Sequence, residues 1–336
     1  MNIFITGTAG FIGFHLARRL LADGHIVMGY DGLTDYYDVR LKRARHALLE
    51  ASPDFTAIIG QLENADLLQS AIRDFGPDVV LHLAAQAGVR YSIEHPETYI
   101  SSNLVGTFNL LEALRATPVK HAILASTSSI YGANPGPAFT ETERSDFPLS
   151  IYAATKRSTE AMSHSYAHLF AIPTTLTRFF TVYGPWGRPD MAPIKFASAI
   201  EAGRAIDVYG HGNQSRDFTY IDDVVEAVVR LIPKPPATGA SVSPADSISP
   251  VAPWRVVNIA GGQPVPLMDF IAAFEAALGR PALKNFLPMQ PGDVSATRAD
   301  TTLLRALTGF APAVSVTAGV KAFCDWYRAD YAGRYT

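Results

Sequence analysis

The sequence predicts an α/β fold: a doubly wound parallel sheet followed by a smaller C-terminal domain of mixed α and β structure. Three observations carry that expectation. Short apolar stretches alternate with amphipathic ones from residue 2 to residue 178, as right-handed βαβ crossovers require. The first apolar stretch runs directly into Gly7, Gly10 and Gly13, a turn that opens a helix. After Arg178 the rhythm gives way to irregular segments rich in glycine and proline. The chain therefore divides into residues 1–180 and residues 181–336.

Residues 2–6 form the first strand. The helix after it sets Phe14, Leu16, Ala17, Leu20 and Leu21 against polar neighbours and stops near Asp23 and Gly24. A second strand over 25–30 ends at Asp31. Gly7 and Gly10 allow a tight turn and bring the backbone at Phe11 and Ile12 close to a pyrophosphate, where free N–H groups and the helix dipole favour negative charge. Gly13 lets the helix pack closely on the strand. Asp31 can accept both hydroxyls of an adenosine ribose and repels a 2′-phosphate, which favours NAD over NADP. Strand, turn, helix, strand and acid in register make this a Rossmann-type unit rather than a bare glycine turn. Lys42 and Arg43 are assigned to the solvated face of a helix beginning near Val39; the alternative is a phosphate contact.

A third strand over 55–60 leads into Gln61, Leu62 and Glu63, then a helix through Leu67, Leu68 and Ile72. Residues 78–85 are a nearly continuous apolar run, the mark of a central parallel strand covered on both faces. His82 within it reads as a packed core histidine. Small residues at Ala84, Ala85 and Gly88 let a dinucleotide lie across the strand ends. One long helix spans 96–115, where Asn103 is either a surface amide or a brace for Lys156. A strand over 119–125, a helix over 150–170 and a strand over 173–178 follow. In the smaller domain come a helix from Asp222 to Leu231, a strand over 255–259, and helices near 267–278, 301–307 and 317–327. Residues 233–253 are poor in large apolar side chains and read as a mobile loop.

Composition excludes several function classes. The net charge of −3 gives no bulk attraction to nucleic acid or a membrane surface. No apolar run approaches the ~18 residues of a membrane span, and the N-terminus has no basic region followed by a long apolar core. The single cysteine, Cys324, sits in an amphipathic helical pattern as a core residue. With no disulfide possible inside the chain, the expected location is the cytoplasm. The nine histidines show no metal-ligand spacing.

The chemistry concentrates between Ser126 and Lys156. An apolar strand ends in Ser126, Thr127, Ser128 and Ser129, and a later helix opens with Tyr152-x-x-x-Lys156. Tyr and Lys four apart share one helical face. A phenol titrates near ~10, whereas a general base works best near the operating pH. Lys156 and a cationic nicotinamide would both favour the phenolate of Tyr152. Lowering it by ~3 units corresponds to ~4 kcal/mol. Thr127, Ser128 or both can hydrogen-bond the oxygen that loses its proton. Tyr-x-x-x-Lys alone is common by chance; beside a dinucleotide fold and a hydroxyl-tipped strand it points to redox chemistry at a carbinol.

Gly7-x-x-Gly10-x-x-Gly13, Asp31, the run from His82 to Ala85, the hydroxyls at 126–129, Tyr131 with Gly132, Tyr152-x-x-x-Lys156 and the stretch from Arg178 to Pro185 together resemble the extended short-chain dehydrogenase/reductases that act on nucleotide sugars. The resemblance covers nearly the whole chain. Asp35 to Asp38, Gln86 to Tyr91, Phe180 to Met191 and Gln214 to Tyr220 are most similar to bacterial UDP-glucuronate 4-epimerases. This resemblance implies a tightly held NAD, oxidation of the sugar at C4, rotation of the 4-keto sugar and return of hydride to its other face. It implies that Tyr152 is the base, that Lys156 binds the nicotinamide ribose, and that Thr127, with Ser128, assists at the C4 oxygen. The implied cofactor set is Gly7, Gly10, Phe11, Ile12, Gly13, Asp31, Leu62, Leu83, Ala84, Ala85, Asn103, Ser126, Tyr152 and Lys156. The implied substrate set, for a UDP-sugar, is Arg90, Thr127, Ser128, Ser129, Tyr152, Thr181, Arg188, Met191 and Arg216. It also implies a homodimer built on the helices over 96–115 and 150–170; burial within one subunit explains their apolar faces equally well.

Two departures from the family pattern bear on chemistry. Thr181 stands where many relatives carry Asn, leaving room for a C6 carboxylate. Gln61 stands where an acid often reads adenine. Sister enzymes that eliminate water or decarboxylate carry acids beside the Thr; here those positions are Ser128 and Ser129. The leading expectation is therefore interconversion of UDP-glucuronate and UDP-galacturonate. The rivals are a 4-epimerase of neutral UDP-sugars, a UDP-glucuronate decarboxylase, and a non-catalytic NAD-sensing scaffold. Arg90, Arg188 and Arg216 lie in the irregular segments and offer bidentate pairing to phosphate or carboxylate, with Arg216 the best placed.

Overall fold

A computed structural model describes residues 1–134, 136, 138–290 and 292–335. The first half of the chain follows the alternation read from the sequence: β1 (Asn2–Thr6), α1 (Phe11–Ala22), β2 (Ile26–Asp31), α2 (Val39–Glu50), β3 (Phe55–Ile59), α3 (Ala65–Phe75) and β4 (Val79–His82). Two short helices, α4 (Tyr91–Glu94) and α5 (Pro96–Tyr99), lead through a π-helical turn at Ile100–Val105 into α6 (Gly106–Ala116). Then come β5 (His121–Thr127), α7 (Ile151–Phe170) and β6 (Thr174–Phe179). Ser150 caps α7 by accepting from Ala153 N at 3.1 Å, the side-chain cap expected of a serine at that position.

Among the described residues, seven parallel strands form the central sheet in the order β3, β2, β1, β4, β5, β6 and the late strand β11 (Trp254–Ile259). The order reverses between β1 and β4. Crossovers leave that point in opposite directions and open a crevice at the carboxyl ends of the strands. Gly7 and the segment from Leu83 to Ala85 lie there.

The second half supplies β7 (Thr181–Tyr183), α8 (Ala192–Glu201), β8 (Ala205–Tyr209), β9 (Ser215–Arg216), β10 (Phe218–Tyr220) and α9 (Ile221–Leu231) before β11. After it come β12 (Val265–Pro266), α10 (Leu267–Leu278), β13 (Leu283–Leu287), α11 (Thr302–Thr308) and α12 (Val316–Trp326). Three strand pairs, β7 with β10, β9 with β12, and β8 with β13, form small sheets. A continuous buried cluster links Ile3 and Phe14 of the large sheet unit to Phe270 and Phe274 of α10 and Phe323 of α12. The boundary expected at residue 180 is a change of architecture within one apolar core.

Several expectations need correction. The strand read as 78–85 ends at His82, because the small residues after it turn toward the crevice. The strand read as 255–259 belongs to the large sheet, pairing with β6 along its whole length. Lys42 is not on a solvated face. It is buried, its Nζ donates to Thr34 O at 2.6 Å and Thr34 Oγ1 at 2.9 Å, and it stacks on Tyr37; Arg43 is exposed as expected. The segment 233–253 is anchored rather than loose. Asp246 makes a buried, bidentate ion pair with Arg255, and Ser249 Oγ meets His164. Its hold is polar, so apolar content gave no sign of it.

Candidate active site

The crevice is walled along one side by Gly7, Gly10, Phe11, Ile12 and Gly13. Gly7 has φ of 82°, and a Cβ there would lie 2.7 Å from Ala84 N; one at Gly13 would lie 2.1 Å from Gly7 O. Only glycine permits this turn. Gly10 caps α1 with no side-chain hydrogen bond, and the first turn carries no acid. The N–H groups of that turn are left to an anion. Asp31, buried at the end of β2, accepts from Ala9 N at 2.9 Å and Leu33 N at 2.8 Å. Those bonds fix the carboxylate on the wall and leave lone pairs for a ribose diol. Glycine turn, open helix terminus and fixed acid fit a dinucleotide. Leu62, Leu83, Ala84, Ala85 and Ser126 line the same cleft.

At the far end, β5 delivers Ser126 and Thr127, and α7 delivers Tyr152 and Lys156, all four on the wall. Thr127 Oγ1 accepts from Ser129 N and donates to Ser129 Oγ, both at 3.2 Å, which fixes the turn from Ser128 to Tyr131. Burial pushes the Tyr152 phenol above its ordinary value, while hydrogen bonding with Thr127 and the charge of Arg188 pull it down. The lowering comes from Thr127 and Arg188 rather than, as the sequence suggested, from Lys156, and burial outweighs it. Lys156 is pushed down to about 8 by burial, with Glu160 opposing. Next to it His82 is held neutral, at about 3, by burial and the Lys156 charge. It sits between Thr6 Oγ1 at 2.8 Å and Thr107 Oγ1 at 3.1 Å, the packed histidine the sequence suggested.

Sequence reasoning missed Glu160. It lies one turn beyond Lys156 on the face that carries Tyr152. Ser126 Oγ donates to its Oε1 at 2.6 Å, and Arg178 clamps both its oxygens at 2.9 and 2.8 Å. Arg178 also donates to Tyr131 Oη at 2.9 Å. The i, i+4 spacing was the available signal; the partner strand was not. Tyr36, Tyr37, Gln86 and Phe180, also wall residues, lie in stretches that carried the family resemblance but were not singled out for the site.

Other expected members sit elsewhere. Asn103 is neither a surface amide nor a brace on Lys156. It is buried in the π-helical turn, where Oδ1 accepts from Gln86 N at 2.8 Å and Nδ2 donates to Gln86 O and Thr155 Oγ1. It stands behind the wall because the wider turn points it at the backbone of Gln86. Ser128, Ser129 and Thr181 are half-buried just beyond the wall. Met191 and Arg188 are on it, and Arg188 is held by Asp190 at 3.0 and 2.5 Å. Arg216, expected to meet phosphate, is off this wall on β9, donating to Ser215 O and Ser295 O. Arg90 pairs with Asp293 at 3.3 Å and stacks on Tyr209, and the same Asp293 charge acts on Arg216.

The sequence pattern of the NAD dependent epimerase/dehydratase family matches residues 3–242. The chain belongs to this family. Among its relatives, a protein of Rhizobium meliloti named "Probable UDP-glucuronate 4-epimerase" is 57% identical over 100% of this chain and 99% of its own length. The crystal structure of a UDP-glucuronic acid 4-epimerase from Bacillus cereus, in complex with UDP-glucuronic acid and NAD, is 35% identical with a TM-score of 0.87, covering 98% of this chain and 99% of that one. A dTDP-glucose 4,6-dehydratase of Streptomyces venezuelae, with NAD bound, superposes with a TM-score of 0.85 at 25% identity, covering 98% of each chain. The same fold therefore hosts different reactions, and the reaction has to be argued from the site rather than from the fold.

Proposed function

We infer that this family member is an NAD-dependent 4-epimerase that interconverts UDP-glucuronate and UDP-galacturonate. One observation carries the choice of reaction: the turn beyond Thr127 presents Ser128 and Ser129, with Ser129 tied to the Thr127 hydroxyl through its backbone N–H and its own hydroxyl, and no carboxylate. A 4-keto uronate is a β-keto acid that tends to lose CO₂, and elimination needs an acid–base pair. Serine hydroxyls supply neither protonation nor proton removal near neutral pH. They can hold the C6 carboxylate, together with Thr181, while C4 inverts.

NAD fits the cleft through Gly7, Gly10, Phe11, Ile12, Gly13, Asp31, Leu62, Leu83, Ala84, Ala85, Ser126 and Lys156. When bound, it supplies the hydride acceptor and donor for C4. The chain's own residues do the rest. Tyr152 Oη takes the proton of the C4 hydroxyl and returns it. Thr127 Oγ1 hydrogen-bonds the same oxygen and lowers the phenol. Lys156 brings a cation to the ribose and favours the phenolate. Asn103 acts by holding Gln86 and Thr155 rather than by touching the cofactor. Arg188 pairs with the anionic substrate, and Met191 covers the sugar. Arg90 and Arg216, gathered around Asp293, meet the UDP pyrophosphate, where guanidinium pairing suits phosphate. Residues 1–180 hold the cofactor and residues 181–336 mainly the UDP-sugar.

Large apolar side chains project outward from the π-helical turn, α6 and α7: Ile100, Phe108 and Ile151 are 47%, 45% and 42% exposed. Patches of this kind mark association surfaces, which supports a homodimer on these helices. Among the described residues no helix is long and apolar enough to cross a membrane, and the lone buried Cys324 suits the cytoplasm. The test is incubation of the purified protein with UDP-glucuronate, no NAD added, followed by proton NMR. UDP-galacturonate is the expected product. A UDP-pentose with release of CO₂ would replace this reading with decarboxylation, and inertness toward UDP-glucuronate with turnover of UDP-glucose would replace it with neutral-sugar epimerisation.

A further inference from the structure

Three successive backbone carbonyls in the segment that leads into Arg188 are held by side chains from the cofactor half of the chain. His15 Nε2 donates to Pro185 O at 2.8 Å. Arg45 Nη2 donates to Trp186 O at 2.6 Å and to Gly187 O at 3.1 Å. The other terminal nitrogen of Arg45, Nη1, donates to Ala9 O of the glycine turn and to Tyr37 Oη, both at 2.7 Å. One guanidinium thus ties the turn after β1 to the segment after β7. The planar fork of arginine can span such a bridge; the single ammonium of lysine cannot.

The arrangement is costly. Arg45 is fully buried, and its four hydrogen bonds go to three backbone carbonyls and a phenol. Among the described residues no carboxylate forms a salt bridge with it, and its Nε has no partner. Burial holds His15 neutral, at about 3, so its one N–H goes to Pro185 O and Nδ1 is left unpaired. Trp186 has φ of 58°, a left-handed conformation that a bulky side chain seldom takes. Its ring packs against Phe14 and Trp326, with centroids 5.6 and 5.5 Å away. Unpaired buried polar atoms and strained backbone persist where the surroundings dictate one conformation, and such places cluster at functional sites. Arg188 follows, on the cleft wall. Asp190 fixes the tip of its guanidinium. The held carbonyls fix its backbone, because Gly187 O belongs to the peptide unit that leads into it.

We propose that Arg45 is a positioning residue for substrate binding: it braces the strained segment 185–188 against the glycine turn and so sets where Arg188 meets the anionic substrate. Arg45 lies behind the cleft and is not among its wall residues, so it acts through Arg188. The proposal rests on the reading that Arg188 pairs with UDP-glucuronate.

Calorimetric titration with UDP-glucuronate separates this role from general support of the fold. Four NAD-loaded proteins are compared, all carrying Tyr152→Phe so that no turnover disturbs the heat: the parent, Arg45→Met, Arg188→Ala and the pair. Each single change should raise Kd about tenfold. The pair should also stand about tenfold above the parent, because the brace has nothing to place once Arg188 is gone; independent effects would multiply to about a hundredfold. In the otherwise wild-type enzyme Arg45→Met should raise KM and leave kcat within about twofold, the pattern of lost uniform binding. Arg45→Lys keeps the charge without the fork and should still bind at least about threefold more weakly than the parent. A pair near a hundredfold, an Arg45→Met protein that binds like the parent, a fall in kcat at unchanged KM, or full recovery in Arg45→Lys would overturn the proposal. So would failure of both Arg45 variants to fold, or loss of their NAD. A parent that does not bind UDP-glucuronate would overturn the proposed substrate, and an Arg188→Ala protein that binds normally would overturn the role of Arg188; the brace falls with either.

Discussion

The wall of the cleft at Lys156 and the frame behind it at Arg178 each hold a buried cation next to Glu160, and their environments drive them in opposite directions. For Arg178 burial works against the charge, but Glu160 and Tyr131 outweigh it and hold the guanidinium firmly protonated. Lys156 meets the same burial with only a distant pull from Glu160, and it falls to about 8. Among the described residues no carboxylate forms a salt bridge with Lys156. The frame has spent its carboxylate on an arginine that never reaches the cleft. The wall keeps a cation whose charge is poorly satisfied and therefore available to a phenol and a ribose. Functional groups are often left in this costly state, while the residues that position them are fully paired.

The largest expected effect falls on the wall. Tyr152→Phe should lower kcat about 10³-fold or more, the upper range for loss of a general acid–base, while dinucleotide remains bound. Near-normal turnover in that variant would show that the proton leaves by another route. The frame should respond differently. Glu160→Gln leaves Arg178 charged in a buried site, and about 3–5 kcal/mol of stability should be lost, read by denaturant unfolding. A variant as stable as wild type would mean that Arg178 relaxes toward solvent and that wall and frame differ less than the pairing suggests.

Lys156→Met sharpens the contrast further. Activity should collapse, yet the protein should become more stable at pH 7, by up to about 1–3 kcal/mol. The sign follows from the depressed value of about 8 against the ordinary lysine value of 10.5. Below about 8 the folded wild-type protein bears a buried charge at a cost, and that cost is relieved as pH rises toward 10.5. The stability gap between variant and wild type should therefore narrow over that interval; a gap that widens would contradict the burial argument. The smallest effect belongs to the rim. Arg216→Ala should raise KM about tenfold with kcat little changed, because it removes binding shared by substrate and transition state. A selective fall in kcat would move Arg216 from the rim to the chemistry.

Much of the wall was legible in the sequence, and little of the frame was. Gly7, Gly10, Gly13, Asp31, Tyr152 and Lys156 act through local geometry: a turn, a strand end, one helical face. Spacing alone reports such features. Glu160 has the right spacing too, but its meaning depends on Arg178, which β6 brings against β5 in the register of Ser126 with Arg178. Asn103 was visible as an oddity in an apolar helix; the π-helical turn that buries it is a product of packing. Lys42 read as solvated because a basic helix face usually is, and the loop bearing Thr34 folds over it only in three dimensions. The place of Arg216 on β9, off the cofactor wall, was hidden for a similar reason. An arginine in a glycine-rich segment announces exposure to a cleft without saying which part of the cleft.

The central claim is that C4 alone changes configuration and that the site has no group to act at C5 or C6. UDP-glucuronate labelled with deuterium at C4, supplied to the enzyme in ordinary water without added NAD, tests it most directly, with the product read by NMR and mass spectrometry. The account predicts UDP-galacturonate that keeps deuterium at C4 and all six carbons of the sugar. Loss of the label to solvent, exchange at C5 in the matching experiment in heavy water, or a five-carbon product would contradict it.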